Sequence, residues 1–119
     1  MNRECIDKHI AEVYNVVADF PWPRYESYAV YRHGSNGKWF AIIMELDKHK
    51  FNINEDGLMT VVNLKCSPAL IGSLVLEDGI TRGYHMNKYH WISVDIKRVD
   101  DEKIKALLDI SYNLTKTNN

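Results

Sequence analysis

The sequence has few cysteines and no long apolar run. Its 119 residues include two cysteines, Cys5 and Cys66, whereas a small secreted domain usually depends on a dense disulfide framework. No stretch approaches the roughly twenty apolar residues that a membrane-spanning helix needs. The first residues, MNRECIDKHIAEV, contain acids and no apolar core of a signal peptide. We therefore expect a soluble cytoplasmic protein with reduced thiols.

The sequence also lacks a surplus of charge of either sign. Fifteen Lys and Arg residues against sixteen Asp and Glu residues give a formal net charge of −1, whereas domains that bind nucleic acid strongly are usually basic. Apolar residues make up 45% and charged residues 26% of the chain, as in ordinary globular domains. We predict one domain over residues 1–119 that ends in a frayed tail at 115–119.

No catalytic or metal-binding motif is recognisable. His85 and His90 are five positions apart, which suits neither one face of a helix nor one face of a strand, and no cysteine or acid lies between them. Cys66 lies in no known nucleophile motif, and a lone cysteine usually packs in the core. We therefore expect no enzyme activity, no cofactor and no metal.

Apolar periodicity and capping residues predict three helices. The first extends from about Arg3 to Ala18, where apolar residues recur at spacings of four, three and four. Ser67 and Pro68 are typical of the start of a short second helix, and Asp100 or Asp101 caps the third. The predicted buried positions are Ile6, Ile10, Val13 and Val17 in the first helix, Leu70, Ile71, Leu74 and Val75 in the second, and Ile104, Leu107 and Leu108 in the third.

The segments between these helices predict an antiparallel sheet. SYAVYRHGSNGKWFAIIME favours a hairpin around Asn36-Gly37, the dipeptide that suits a two-residue type I′ turn, and that turn would pair Tyr31 with Ile42. LMTVVNLKC and HWISVDIK supply two more strands. We predict an α+β fold, a two-layer sandwich with an antiparallel sheet and helices mainly on one face.

The stretch GYHMNKYHW, residues 83–91, combines polar and aromatic side chains immediately before the last strand. Alternation along that strand assigns His90 to the same face as Ile92, Val94 and Ile96, which predicts a histidine that is buried or lies at the rim of the core, with backbone partners for its ring nitrogens. It assigns Trp91 to the opposite face, where the indole either packs under a connector such as FPWPRY or lies open as a binding platform.

Two further features could bind an anionic partner. Lys65 and the start of the helix at Ser67 could form an anion pocket from backbone amides, a hydroxyl and the helix dipole. The hairpin tip at 36–38, beside Arg32, could project like a wing into a nucleic-acid groove, although charged hairpin tips are more commonly solvated turns.

Three segments resemble the MmcQ/YjbR family of small bacterial proteins: PWPRYESYAVYRHGSNGKWFAII, VNLKCSP and GYHMNKYHWISV. The resemblance extends from about Val17 to Leu114. It implies a compact α+β fold in a cytoplasmic bacterial protein. Because this fold is similar to the double-wing arrangement of some transcription-factor domains, the resemblance also implies DNA binding, but it implies no catalytic residues.

The sequence therefore supports two hypotheses. The first is a DNA-binding or regulatory module whose binding depends on salt. The alternative is a protein- or small-ligand-binding module in which Tyr84 to Trp91 form part of a pocket. The candidate binding residues are Arg32, Lys38, Lys65, Ser67, His85, Asn87, Lys88, Trp91, Lys97 and Arg98.

Overall fold

The computed structural model describes residues 1–116, which form one five-stranded antiparallel sheet, three α-helices and a short 3₁₀ helix. The strand order is β1-β2-β3-β5-β4. The elements are α1 (Arg3–Tyr14), β1 (Ala29–Arg32), β2 (Trp39–Asp47), the 3₁₀ helix (Lys48–Phe51), β3 (Leu58–Lys65), α2 (Pro68–Leu74), β4 (Ile80–Arg82), β5 (Trp91–Asp95) and α3 (Asp101–Thr115). The predicted α+β fold is confirmed.

The sheet has apolar side chains on both faces. On one face, which we call the helical face, α1, α2 and α3 pack against the strands. On the other, the connector face, the covering side chains come from irregular segments and the 3₁₀ helix. The strand residues of the connector face include Val30, Ile42, Met44, Val61 and Trp91, and the covering residues include Trp22, Tyr28, Phe51, Ile53, Tyr84 and Met86.

Helix α1 is shorter than predicted. It ends at Tyr14 because Asn15 adopts a left-handed conformation with φ 57° and donates its backbone N–H to the carbonyl of Ala11. Val13 and Val17, which we predicted to be buried, are 56% and 84% exposed. The extended segment that follows makes an antiparallel bridge with the outer edge of β1.

The hairpin of β1 and β2 differs from the predicted register by one residue. Tyr31 pairs with Ala41 and not with Ile42, because the His33 N–H donates to the Lys38 carbonyl at 2.9 Å and residues 34–37 form a longer loop. The register then shifts between Tyr31 and Arg32. A shift of one residue exchanges the faces of a strand, so Tyr31 lies on the helical face while Ile42 lies on the connector face.

A contact with α3 accounts for this longer loop. The Asn36 side chain donates from Nδ2 to the carbonyls of Thr115 and Lys116, at 2.9 and 3.3 Å, and accepts from the Lys38 N–H at 2.8 Å. The tip therefore lies against the end of α3 and does not project freely like a wing. Thr115 is a buried helical residue, although we predicted a tail from 115, and residues 117–119 of that tail lie outside the described residues.

The last two strands show one further difference from prediction. The three-residue strand β4 at the sheet edge was not predicted; it pairs with β5. Strand β5 begins at Trp91, one residue later than expected. Within residues 1–116, no helix has the length and apolar character to cross a bilayer.

His33 is buried where the hairpin loop meets α3. Its Nε2 lies 2.7 Å from the Thr115 Oγ1, and its ring packs 5.0 and 4.4 Å from the rings of Phe40 and Tyr112. Burial lowers the pKa of His33 and outweighs a backbone hydrogen bond at Tyr112 that raises it, and the charges of Lys116 and Lys38 lower the pKa further. The folded protein therefore favours the neutral imidazole.

We expect the free energy of unfolding to decrease as the pH falls below about 6.5. In that range His33 binds a proton in the unfolded chain more readily than in the folded chain, where its pKa is lower. Chemical denaturation between about pH 7.5 and pH 5.5 measures this slope. The variant His33→Gln should show a smaller slope, and His90→Gln, at an exposed position, should keep the wild-type slope. Equal slopes in all three proteins would contradict the prediction.

Candidate functional site

Residues 83–90 connect β4 to β5 and are fixed by backbone hydrogen bonds. The Gly83 N–H donates to the Trp91 carbonyl at 2.8 Å, and the Asn87 carbonyl accepts from His90 and Trp91. A Cβ at position 83 would lie 2.7 Å from the Trp91 Cβ, so glycine permits this close approach. The connector is therefore an ordered part of the fold.

A buried polar network attaches this connector to the sheet. The Ser93 Oγ donates to the Asn63 Oδ1 at 2.5 Å and accepts from the Tyr84 N–H at 2.9 Å. The Asn63 Nδ2 donates to the Tyr84 carbonyl at 2.8 Å. Both polar groups of the Tyr84 backbone therefore have a partner in the sheet, which fixes its ring on the connector face.

Two predictions about the start of β5 have opposite outcomes. Trp91 is 9% exposed and packs in the connector-face cluster, which confirms packing and excludes an open platform. His90 is exposed, so the prediction of a buried histidine is wrong. The strand alternation does not reach this residue, because His90 belongs to a turn in which its N–H donates to the Asn87 carbonyl.

An aromatic cleft opens on the connector face beside this segment. Its volume is about 320 Å³. Trp22 stands nearly perpendicular to Trp39 and to Tyr28, with ring centroids 5.6 and 6.1 Å apart, and Tyr25 stacks on Tyr28 at 4.8 Å. The residues that line the cleft are Trp22, Tyr25, Tyr28, Trp39, Ile42, Met44, Asn63, His85 and Met86.

His85 supplies an exposed imidazole to the wall of this cleft. Its backbone is left-handed, with φ 61°, a conformation that is uncommon for residues other than glycine and costs about 1 kcal/mol or more. The imidazole lies 4.1 Å from the Tyr84 ring. Because the Asn63–Ser93 network fixes the Tyr84 backbone, it also fixes the backbone immediately before His85.

Apart from His85, the described residues that line the cleft carry no formal charge. Burial raises the pKa of Tyr28, and the neighbouring Tyr25 and Tyr84 raise it further, so its phenol stays protonated at neutral pH. The guanidinium of Arg32 lies 5.7 Å from the Trp39 ring centroid and pairs with Asp19 at 2.7 Å. The cleft therefore suits an uncharged, flat or apolar group.

The strand register divides the predicted binding residues between the two ends of the sheet. Because Lys65 pairs with Trp91 and Arg82 with Ile92, the β4–β5 connector lies at the same end as the β1–β2 loop; we call this the Lys65 end. Lys97 and Arg98 follow β5 at the opposite end, and Arg98 pairs there with Asp78. The residues at the Lys65 end are Arg32, Lys38, Lys65, Ser67, His85, Asn87, Lys88 and Trp91.

Several of these residues already have partners inside the protein. The Lys88 Nζ donates to the Gly83 carbonyl at 2.9 Å, and the Asn87 Oδ1 accepts from the Tyr89 N–H at 2.9 Å. Ser67 occupies the N-cap position of α2 as predicted, but its side chain makes no capping hydrogen bond. The hydroxyl that we expected in the anion pocket is therefore not used in capping, and the pocket stays a prediction.

Two observations concern the residue types that nucleophilic and metal chemistry use. Cys66 is buried, and burial raises the pKa of its thiol, which disfavours the reactive thiolate. Within the part of the chain that the structure describes, no three His, Cys, Asp or Glu side chains are arranged to hold a metal ion.

The sequence prediction missed the aromatic rings that form the cleft. Trp22 and Tyr28 lie in the connector before β1 and Trp39 lies in β2, and none of them was among the candidate residues. The density of aromatic residues in FPWPRYESYAVY was the available indication. The FPWPRY segment was considered only as a cover for Trp91.

Comparison with known proteins agrees with this fold. The YjbR family model matches residues 11–114. The chain is 41% identical to the uncharacterized protein YyaQ of Bacillus subtilis (strain 168), over 98% of this chain and 99% of that protein. It is 32% identical to the uncharacterized protein YbdF of Escherichia coli O157:H7, over 78% of this chain and 68% of that protein.

Solved structures show the same arrangement. A crystal structure of a Pseudomonas syringae protein has a TM-score of 0.95 and 39% identity, and covers 97% of this chain and 99% of that chain. The Deinococcus radiodurans protein DR2400 has a TM-score of 0.73 at 24% identity, over 98% of this chain and 80% of that chain, which shows the fold alone. The chain belongs to the YjbR family, as its sequence resemblance implied.

Replacing Ser93 with alanine should destabilise the protein by about 2 kcal/mol, because the Tyr84 N–H and the Asn63 Oδ1 would each lose a buried partner. Urea denaturation followed by tryptophan fluorescence measures this change. Ser35→Ala, on the exposed loop, is the matched control and should change the free energy by less than about 0.5 kcal/mol. Similar changes in both variants would show that the network contributes little.

Proposed function

We propose that this protein is a binding module whose site is the aromatic cleft, and that it holds a small uncharged aromatic compound without chemically altering it. The observation that carries the proposal is the convergence of Trp22, Tyr25, Tyr28 and Trp39 around one cleft on the connector face. Large rings with one apolar face and one polar edge are favoured where a protein holds a partly buried ligand.

The size and the chemistry of the cleft favour such a compound. A volume of about 320 Å³ lies at the lower end of the range for ligand pockets, roughly 300 to 1,000 Å³, so the ligand has one or two rings. The indole N–H groups, the phenol hydroxyls and the imidazole of His85 supply polar groups. Apart from His85, no described lining residue would offer a charged ligand an opposite charge.

Titration of isotopically labelled protein with 2-naphthol tests the proposal by NMR. We expect the largest shifts at the indole N–H signals of Trp22 and Trp39. The variant Trp22→Leu keeps an apolar side chain but removes an edge-to-face ring contact, so its affinity should fall roughly three- to tenfold. Tyr89→Leu, at an exposed position outside the cleft, is the control and should bind as the wild type does.

Two results would count against this site. One is that 2-naphthol and a library of neutral one- and two-ring compounds leave the signals of the cleft residues unchanged and do not raise the melting temperature. The other is that Tyr89→Leu weakens binding as much as Trp22→Leu does, because the compound would then bind without preference for the cleft.

A second candidate function is DNA binding, which the family resemblance implies. The observation that favours it is the position of the 34–37 loop and the 83–90 connector, which flank the same end of the sheet. Arg32, Lys38, Lys65 and Lys88 lie at this end, and their positive charges could contact phosphates. The formal charge of −1 for the whole chain predicts weak, salt-dependent binding.

Fluorescence anisotropy with a short labelled DNA duplex tests this candidate at about 50 and about 200 mM salt. We expect Lys65→Gln and Lys88→Gln to weaken binding and to reduce its dependence on salt, because each removes a phosphate contact. Lys97→Gln removes an equal charge at the opposite end and should have little effect. An absence of binding at the lower salt concentration, or an equal effect of Lys97→Gln, would exclude DNA binding at the Lys65 end.

A further inference from the structure

A second cleft lies on the connector face, at the end of the sheet opposite Lys65. Its volume is about 390 Å³. Its walls come from the 3₁₀ helix, strands β3, β4 and β5, and the segment between α2 and β4. The residues that line this cleft, which we call the acidic cleft, are Phe51, Ile53, Met59, Val61, Leu76, Glu77, Asp78, Gly79, Thr81, Ser93, Asp95 and Arg98.

Asp95 is the unusual residue of the acidic cleft. It retains 7% of its surface area, and buried carboxylates are normally paired with a cation or saturated by hydrogen bonds. Its Oδ1 accepts from the Lys97 backbone N–H at 3.0 Å. Within residues 1–116, its Oδ2 accepts no hydrogen bond and no cationic side chain pairs with it. Because neither Asp95 oxygen is among the buried side-chain atoms that lack a partner, this Oδ2 is open to solvent in the cleft.

The nearby cations do not neutralise Asp95. The Arg98 guanidinium pairs with Asp78. Lys48 and Lys97 line an adjoining depression that Asp95 shares, but Lys48 pairs with Glu55 and no ion pair within residues 1–116 joins Lys97 to Asp95.

Three carboxylates, those of Glu77, Asp78 and Asp95, line the acidic cleft, but Asp78 pairs with Arg98 and Glu77 pairs with Lys103 at 3.2 Å. Among the described residues, Asp95 is therefore the lining carboxylate that no ion pair neutralises, and its charge favours a cationic ligand.

The remaining walls determine what kind of cation fits. Phe51, Ile53, Met59 and Val61 present apolar surface, and the exposed side chain of Leu76 stands at the side of the cleft. The hydroxyl of Ser93 is already used by Asn63 and Tyr84, whereas Thr81, which pairs with Ser93 on the neighbouring strand, offers a second oxygen in the lining of the same cleft. A strongly hydrated metal ion would gain nothing from the apolar walls. A primary amine suits the cleft better, because its ammonium group can pair with the carboxylate while its hydrocarbon chain packs against the apolar walls.

From this juxtaposition we propose that the acidic cleft binds a small primary amine. The ammonium group donates hydrogen bonds to the Asp95 Oδ2 and the Thr81 hydroxyl, and the hydrocarbon chain lies against Phe51, Met59 and Leu76. This site is distinct from the aromatic cleft, with which it shares no lining residue. It does not depend on the function proposed for that cleft.

NMR titration with n-pentylamine, and with n-pentanol as its uncharged counterpart, tests the proposal at neutral pH. We expect the amine to shift the backbone signals of Gly79, Thr81 and Asp95, and the alcohol to bind much more weakly. Equal binding of the two compounds, or shifts elsewhere only, would overturn the proposal. This comparison uses the wild-type protein, so it does not depend on whether a variant folds.

Two matched variants locate the charge that is responsible. Asp95→Asn keeps an oxygen to accept from the Lys97 N–H but loses the negative charge, so its affinity for n-pentylamine should fall roughly tenfold or more. Glu77→Gln removes an exposed carboxylate from the same cleft, and its affinity should fall by no more than about threefold. Equal losses in both would indicate a general electrostatic attraction and overturn the assignment to Asp95.

A third variant separates this site from the aromatic cleft. Trp22→Leu should leave the affinity for n-pentylamine unchanged, because Trp22 does not line the acidic cleft. Failure of 2-naphthol to bind would count against the aromatic cleft alone. A loss of n-pentylamine binding in Trp22→Leu would show that the amine occupies the aromatic cleft and would overturn the proposal.

Discussion

The sheet is apolar on both faces, but the helices cover only one of them. The rest of the architecture depends on how the other face is buried. Strand β2 is buried from Phe40 to Met44, so water must be excluded on both sides. Helices α1, α2 and α3 pack on one side. The other side is covered by segments with little regular structure. Both clefts open on this side, and we infer that their position follows from this division.

Irregular cover of this kind needs polar contacts to fix it. A connector has few backbone partners of its own, and a buried backbone group without a partner is costly. Asn63 and Ser93 project from β3 and β5 into an otherwise apolar surface and satisfy the backbone of Tyr84. The same side chains close the network between themselves, so the sheet retains no unpaired group there. The position of His85 in the aromatic cleft depends on these contacts.

The sequence predictions were right where the regular alternation of a strand determines the structure. They were wrong where a turn or a contact between distant residues determines it. Alternation along β5 correctly assigned Ile92 and Val94 to one face of the sheet and Trp91 to the other, because successive side chains of a strand point to opposite faces. The same rule was wrong for His90, where a local turn replaces the strand. The hairpin register was wrong because Asn36 contacts the end of α3, 79 residues further along the chain, and no local pattern encodes that contact. The aromatic cleft was missed for a similar reason, since its rings come from separate segments.

The separation of the two faces has a consequence for how related proteins can diverge. Substitutions at residues 20–28 before β1, in the 3₁₀ helix or in the 83–90 connector change side chains that do not belong to the core between the helices and the sheet. The folding stability of such a protein would then come mainly from one side of the sheet, and its ligand preference from the other. Relatives with the same strands and helices could therefore recognise different compounds after a few changes in their connectors.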